Sequence, residues 1–366
     1  MRRLYEPNLL GGIADTQQIA LSEPGANFDY AALHIQQALT NMSVGYENGA
    51  FVAEQVAPVI PTDFPSDKYW QFALEKFDVY QDDYVPGTTM GELGWSLSSQ
   101  SFTCNGHGIR GWYPSIAPSA ADAVVDLDIE TTENVGEAIA LVEEVSLLNT
   151  LLANLTVTDL SASGGPYQFD NPDNDPVTWF DLQKETIAAA IGKKPNALLL
   201  GRKAFRGLRN NPNLLKRFVM GTTVNVMPGD MLSAKDLAAK LDLDEVIVGE
   251  AMYNTAALGK TPSLSYIWSD YAVLFFKEAT PGRRKVSLAY TFRWNFNSTR
   301  NQGLITAGGP AGLFIQKWYD QNRQRQVIDG QKFYTQQIIA SGAGLMWKNT
   351  VSGVSDTGAV TLGVSG

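Results

Sequence analysis

Apolar residues recur at helical spacing in one long stretch of the chain: Leu141, Val145, Leu148, Leu152 and Leu155 fall four, three, four and three apart, and Val135, Ile139 and Val142 extend the stripe. The pattern predicts a helix within 120–154, firm from Glu133 to Asn154 and there about 33 Å long. Gly136 weakens its middle, so the start is free to slip by a turn or two. Asp126, Asp128, Glu130, Glu133 and Glu137 crowd the amino-terminal half, where the helix dipole favours negative charge. Upstream the period changes from helical to alternating. Trp70, Phe72 and Leu74 alternate, then Phe77 and Val79 resume one residue out of phase, which reads as a strand with a bulge. Val85-Pro86-Gly87 marks a turn, and Trp95-Leu97 to Phe102 forms the returning strand of a long hairpin.

Eleven aromatic residues fall in the 50 positions from Phe64 to Tyr113, with no helix to cover them. A lone hairpin is marginal in water and an exposed aromatic ribbon promotes association. Trp70, Phe72, Phe77, Tyr80 and Trp95 are therefore expected to rest on something outside the segment.

Residues 1–60 read as an arm. One short amphipathic candidate, Asp29 to Thr40, is surrounded by Gly11, Gly12, Pro24, Gly25, Gly45, Gly49, Pro58 and Pro61, which break regular structure. After a loop at 161–175 the pattern is mixed α/β. Thr178 is expected to cap a helix through Trp179, Leu182, Ile187 and Ile191 that Pro195 ends, followed by a short buried strand from Ala197 to Leu200. Helices are expected at Arg202 to Asn210, Asn213 to Val219 and Ser233 to Leu241. Strands are expected at Glu245 to Val248, Tyr271 to Lys277, Lys285 to Trp294 and Tyr334 to Ala340. There is no internal repeat, and only the tail after Val351 is low in complexity.

Composition narrows the classes. At 366 residues the chain suits two or three substructures. It carries a net charge of −10, yet only 18% of its residues are charged, against about 25% in a typical soluble domain. So thin a coat points to surface covered by partners. Cys104 is the only cysteine, which excludes an intrachain disulfide or thiolate cluster and fits the cell interior. Met1-Arg2-Arg3 has no apolar stretch behind it, against a secretory signal. No run approaches the roughly 18 apolar residues of a membrane span. A sequence pI of about 4.8 disfavours nucleic-acid binding by the whole surface.

Catalytic and cofactor motifs fail on their context. Gly106-His107-Gly108-Ile109-Arg110-Gly111 spells a dinucleotide fingerprint, but Trp112-Tyr113-Pro114 cannot open the helix that would hold a pyrophosphate, so a glycine-rich strand end is expected. Gly259-Lys260-Thr261 lacks the first glycine of a phosphate loop and precedes Pro262. Two histidines, His34 and His107, cannot make a zinc helix. Asp126/Asp128 and Asp242/Asp244 read as solvated or capping carboxylates. No cofactor and no metal is expected. The strongest electrostatic feature is 193–217, with eight basic residues and no acidic one. Arg202, Arg206 and Arg209 share one helix face there. Only Phe205 accompanies them for stacking, so nucleic acid is the weaker reading. The acidic stretch 230–250, net −4, makes contact with a neighbouring copy the favoured one.

Taken in order, several stretches resemble the major capsid proteins of tailed bacteriophages, the fold named for Hong Kong phage ninety-seven. They are 51–61 (Phe-Val-Ala-Glu-Gln-Val-Ala-Pro-Val-Ile-Pro), Lys68-Tyr69-Trp70-Gln71-Phe72, the helix from about Glu133, Pro195 to Gly201, Leu208 to Pro212, Leu243 to Ala256 and Ile267-Trp268-Ser269-Asp270. The resemblance covers about 50–350. It implies an α+β fold with an N-terminal arm (1–60), an extended β-hairpin E-loop (61–117), a peripheral domain with a long spine helix (118–175 and 285–366) and an α/β axial domain (176–284).

The implied function is structural and not enzymatic. Copies form pentamers and hexamers that close an icosahedral shell around double-stranded DNA, assembled in the host cytoplasm and ending in the virion. Trp70, Phe72, Phe77, Tyr80, Trp95, Arg202, Arg206 and Arg209 become candidate assembly contacts. The implied partners are further copies of the chain, a separate scaffolding protein, a portal, decoration proteins and, weakly, the packaged DNA, with no membrane. An encapsulin-type nanocompartment shell is the alternative within this fold, and an intracellular enzyme with a site in 201–250 is the distant one.

Overall fold

The computed structural model describes residues 48, 51–72, 79, 97–120, 126–161, 167–219, 232–256, 260–278, 280, 285–294 and 312–353. The expected arm helix at Asp29 to Thr40, the hairpin positions Phe77, Tyr80 and Trp95 with their turn, and the side chain of Phe72 lie outside the described residues.

Fourteen strands and seven α-helices are described. The first part of the chain holds α1 (Ala53–Val56), β1 (Val59–Thr62), β2 (Ser66–Phe72), β3 (Leu97–Thr103), β4 (Asn105–Pro114), α2 (Ala117–Ala120), α3 (Leu127–Asn154) and β5 (Val157–Asp159). Then come α4 (Pro176–Ile191), β6 (Ala197–Gly201), α5 (Arg202–Arg209), α6 (Pro212–Val219), α7 (Ala234–Lys240), β7 (Glu245–Gly249), β8 (Met252–Asn254), β9 (Leu264–Tyr266) and β10 (Ala272–Phe275). The last are β11 (Ala289–Trp294), β12 (Phe314–Asp320), β13 (Arg325–Ile338) and β14 (Gly344–Lys348).

Two five-stranded sheets organise these elements. In the first, the 14-residue β13 is the backbone. It pairs antiparallel with all ten residues of β4 on one edge, and with β12 and then β11 along the other. Tyr334 fixes that arrangement, having Asn105 opposite it in β4 and Arg293 opposite it in β11. β1 completes this sheet as a parallel neighbour of β11. The second sheet runs β5-β14-β10-β6-β7. Its central β6 and β10 are buried along their whole length, as uninterrupted apolar sequence requires of a strand covered on both faces. β5 and β14 belong to this sheet, so it draws on both sides of the boundaries expected at 175 and 285.

Helix α3 spans both sheets. Its first half lies on the first sheet, where Gly111 and Gly330 leave room: a Cβ on Gly111 would come within 2.5 Å of Thr131 Cγ2, and one on Gly330 would strike Val135 and Ile139. Its second half packs Val145, Leu147, Leu148 and Leu151 into the large core shared with α4 and the second sheet. The helix starts earlier than the firm part of the expectation. The Asp126 carboxylate accepts from the amides of Asp128 (3.0 Å) and Ile129 (3.4 Å) and fixes the first turn. The 28 residues that follow are about 42 Å long. The buried face is also rotated from the expected stripe, because Leu141 and Leu152 sit at its half-buried margin.

Other local expectations need correction. Gly192, with φ of 71°, ends α4 before Pro195 is reached. Thr178 lies inside the first turn of α4 and donates to Asp175 (2.6 Å), which occupies the cap position. β13 begins nine residues before Tyr334. The glycine-rich stretch is not a strand end but the body of β4.

Candidate assembly surfaces

The ribbon formed by β2 and β3 pairs antiparallel from Ser66 opposite Thr103 to Phe72 opposite Leu97. Its base is anchored on the first sheet: Phe102 stacks on Phe292 at 4.1 Å between ring centres, and Tyr69 lies 5.7 Å from the same ring. Cys104 is buried there, and burial pushes its thiol above the ordinary range. Beyond this anchor the described ribbon residues are uncovered. Trp70 is 63% exposed and Leu97 40%, and the register places them on one ribbon face. Phe64, just before the ribbon, is 66% exposed. Of the five aromatic contacts expected from the sequence, only the side chain of Trp70 falls within the described residues, and it faces outward.

The basic stretch is partly neutralised within the chain. Arg202 donates to Glu250 at 2.6 Å, Arg217 pairs with Asp175, and Lys193 lies 3.9 Å from Glu278. Arg202 to Glu250 joins the basic stretch to the acidic one inside a single subunit, so part of the charge match expected between copies is intramolecular. The guanidinium of Arg209 lies 5.5 Å from the Phe205 ring centre, while Phe205 and Leu208 are buried beneath α5. Arg206 is exposed. The expected common face therefore divides into a paired, an exposed and a stacked arginine.

The third feature was not legible as a site. Glu143 and Glu144, adjacent on α3, are both buried. Glu144 accepts from the backbone amides of Val52 (3.0 Å) and Ala53 (2.8 Å) and, through its other oxygen, from the Trp268 indole. Burial pushes its carboxyl above the usual range, against the pull of these three donors. Glu143 pairs with Lys332 and lies 3.3 Å from Arg293, both buried on the first sheet. Glu54 of α1 reaches the same two cations, at 2.5 Å from Arg293 and 3.5 Å from Lys332. Burial raises the Glu54 carboxyl, but the two cations outweigh it and hold it below its ordinary value. The signal in the sequence is a pair of acids set directly before Val145, in the most apolar half of the helix.

Among the described residues no group of three or more His, Cys, Asp or Glu side chains is placed to hold a metal ion. His107 stacks on Tyr334 at 4.2 Å, and Asp128 accepts from the Tyr113 hydroxyl and from Lys317, both at 2.6 Å. The fingerprint glycines serve packing: Gly106 lies under the Phe333 ring and Gly111 under α3. An open depression of about 340 Å³ beside Gly108 and Gly330 is bordered by the Arg110–Asp329 ion pair. No helix among the described residues is long and apolar enough to cross a membrane.

No family model matches this chain. Over 280 residues it is 24% identical to the major capsid protein of Pseudomonas phage JBD67, covering 72% of this chain and 84% of that protein. The crystal structure of a phage-related protein from Bordetella bronchiseptica RB50 superposes with a TM-score of 0.59 at 20% identity, covering 86% of this chain and 97% of the other. The capsid structure of cyanophage P-SCSP1u superposes with a TM-score of 0.54 at 9% identity, covering 84% and 90%. The mixed helix and strand fold is that of phage capsid proteins.

Proposed function

We propose that this chain, a relative of phage major capsid proteins, is itself a capsid shell subunit. The observation that carries the reading is the similarity to the JBD67 major capsid protein along 72% of the chain, in a subunit whose β2–β3 ribbon is left uncovered. Copies associate into pentamers and hexamers and close an icosahedral shell of the Hong Kong phage ninety-seven type around double-stranded DNA. The role is structural and not enzymatic. The ribbon is the E-loop and α3 the spine helix. The first sheet with α3 forms the peripheral domain. The second sheet with α4 to α7 forms the axial domain, which takes β5 and β14 from the flanking segments.

Trp70 and Leu97 would lie against a neighbouring subunit, together with Phe72, Phe77, Tyr80 and Trp95. Arg206, and with it Arg202 and Arg209, would face the capsomer axis. Assembly takes place in the host cytoplasm with a separate scaffolding protein and a portal, decoration proteins can add to the outside, and contact with DNA is weak. Electron microscopy of the purified protein, with extraction of whatever the particles enclose, tests this. Closed shells are expected from the full chain, and only free capsomers or monomers after deletion of 67–99. Shells from the deletion variant would overturn the role of the ribbon. Particles that enclose protein cargo in place of DNA would redirect the reading to a nanocompartment.

A further inference from the structure

The segment from Phe51 to Thr62 touches both sheets. Val52, Ala53, Val56 and Ala57 are buried in the large core that holds the second sheet. Lys277, just beyond β10 of that sheet, donates to the Gln55 carbonyl at 2.9 Å. Ile60 packs on the Phe102–Phe292 cluster of the first sheet, and Thr291 donates to the carbonyls of Ala57 and Pro58, both at 3.1 Å. Where the segment crosses α3, the two adjacent carboxylates hold it. Glu144 caps the first amides of α1 and binds Trp268, while Glu143 gathers the cations that Glu54 also pairs with. Upstream, Asn48 forms two hydrogen bonds with the backbone of Met252, at 2.8 and 2.9 Å.

We propose that residues 51–62 are a strap that fixes the angle between the two sheets, with Glu143 and Glu144 as its clasp. Both sheets stay formed when the strap loosens, but α3 and the shared core around Leu288 and Ala289 then hold their relative orientation without it, and the angle varies more widely. Because three donors converge on Glu144, an isosteric amide must turn its NH2 toward at least one of them, and a buried donor then loses its partner.

Amide hydrogen exchange on the full chain, comparing the native protein with Glu144→Gln, reads the strap directly. Exchange at Val52, Ala53 and β1 is expected to quicken about tenfold or more, with β6 and β10 unchanged. Equal quickening everywhere, or none at the strap, would overturn the proposal. Glu54→Gln changes a half-exposed side chain and is expected to shift the same amides in the same direction by a smaller factor, so the test survives if Glu144→Gln fails to fold. Fluorophores on Asp244→Cys and Asn322→Cys, both exposed sites, report the angle when labelled chains are diluted among unlabelled ones. A broadened or shifted distance distribution in the clasp variants supports the strap, and an unchanged distribution beside a loosened strap refutes its control of the angle. Both readings come from the subunit itself, so they stand or fall separately from shell formation. Resting on the capsid reading, the same variants are expected to yield shells of mixed diameter.

Discussion

Gly330 sits where α3 crosses β13, and the distance between helix and sheet depends on its having no side chain. Gly330→Ala places a methyl against Val135 Cγ1 and 3.0 Å from Ile139 Cδ1. Overpacking of this kind costs about 1–3 kcal/mol, so the urea midpoint is expected to fall with its slope unchanged. His107 gives a second test at this scale. Burial holds the imidazole below its ordinary value near 6.5, with Lys332 acting the same way and Glu143 opposing it. Because the folded-state value is the lower one, stability from neutral His107 is complete above about pH 6.5 and is lost as pH falls toward the folded value. His107→Gln is expected to lose less stability than the native chain between pH 7 and 5 in chemical unfolding.

Such roles were only half legible. The glycines of 106–111 announced themselves as a motif, and their helix-breaking context ruled out the phosphate chemistry. What they do instead is set by tertiary neighbours: Gly111 admits Thr131 and Val135 of α3, about 20 positions on, and Gly106 the Phe333 ring, more than 200 positions away. Glu143 and Glu144 were hidden for the same reason, since their partners Val52, Trp268, Arg293 and Lys332 are scattered along the whole chain.

At the scale of elements, local patterns are legible where periodicity or an uninterrupted apolar run is strong. The described strands of the ribbon, β6 and β10, and the helices at 202–209, 212–219 and 234–240 agree with the sequence pattern. α7 even shows the capping box at Ser233 and Asp236. β4 and the first half of β13 escaped because glycines and charged residues interrupt their alternation, and they are strands because they pair with each other. The arginines of α5 belong here too. Arg206→Glu with Arg209→Glu reverses the charge of the one exposed arginine of α5 and removes the stack on Phe205. Light scattering is expected to show slower assembly, increasingly so at low salt, where surface charge is least screened. Arg206→Glu alone should stay within about 0.5 kcal/mol of native stability. Unchanged assembly in the double variant would remove the axial patch from the contact set.

At the scale of the molecule, two sheets share one helix and one strap, with the uncovered ribbon carried at the edge of the first sheet. The low charge density read from the sequence is consistent with this arrangement, because side chains such as Glu143, Glu144, Arg293 and Lys332 are withdrawn into the interior and leave the outer coat thinner still.

The pairing of the first sheet also sets a schedule for synthesis. β1 at 59–62 waits for β11 at 289–294, and β4 at 105–114 waits for β13 at 325–338. At about 5–20 residues per second on the ribosome, these amino-terminal strands remain without their partners for roughly 10–45 s. A chain terminated before β13 therefore lacks the sheet on which the ribbon is mounted, and only a polypeptide read past residue 338 can present it. The topology thus acts as a length check on every copy before it is offered to its neighbours.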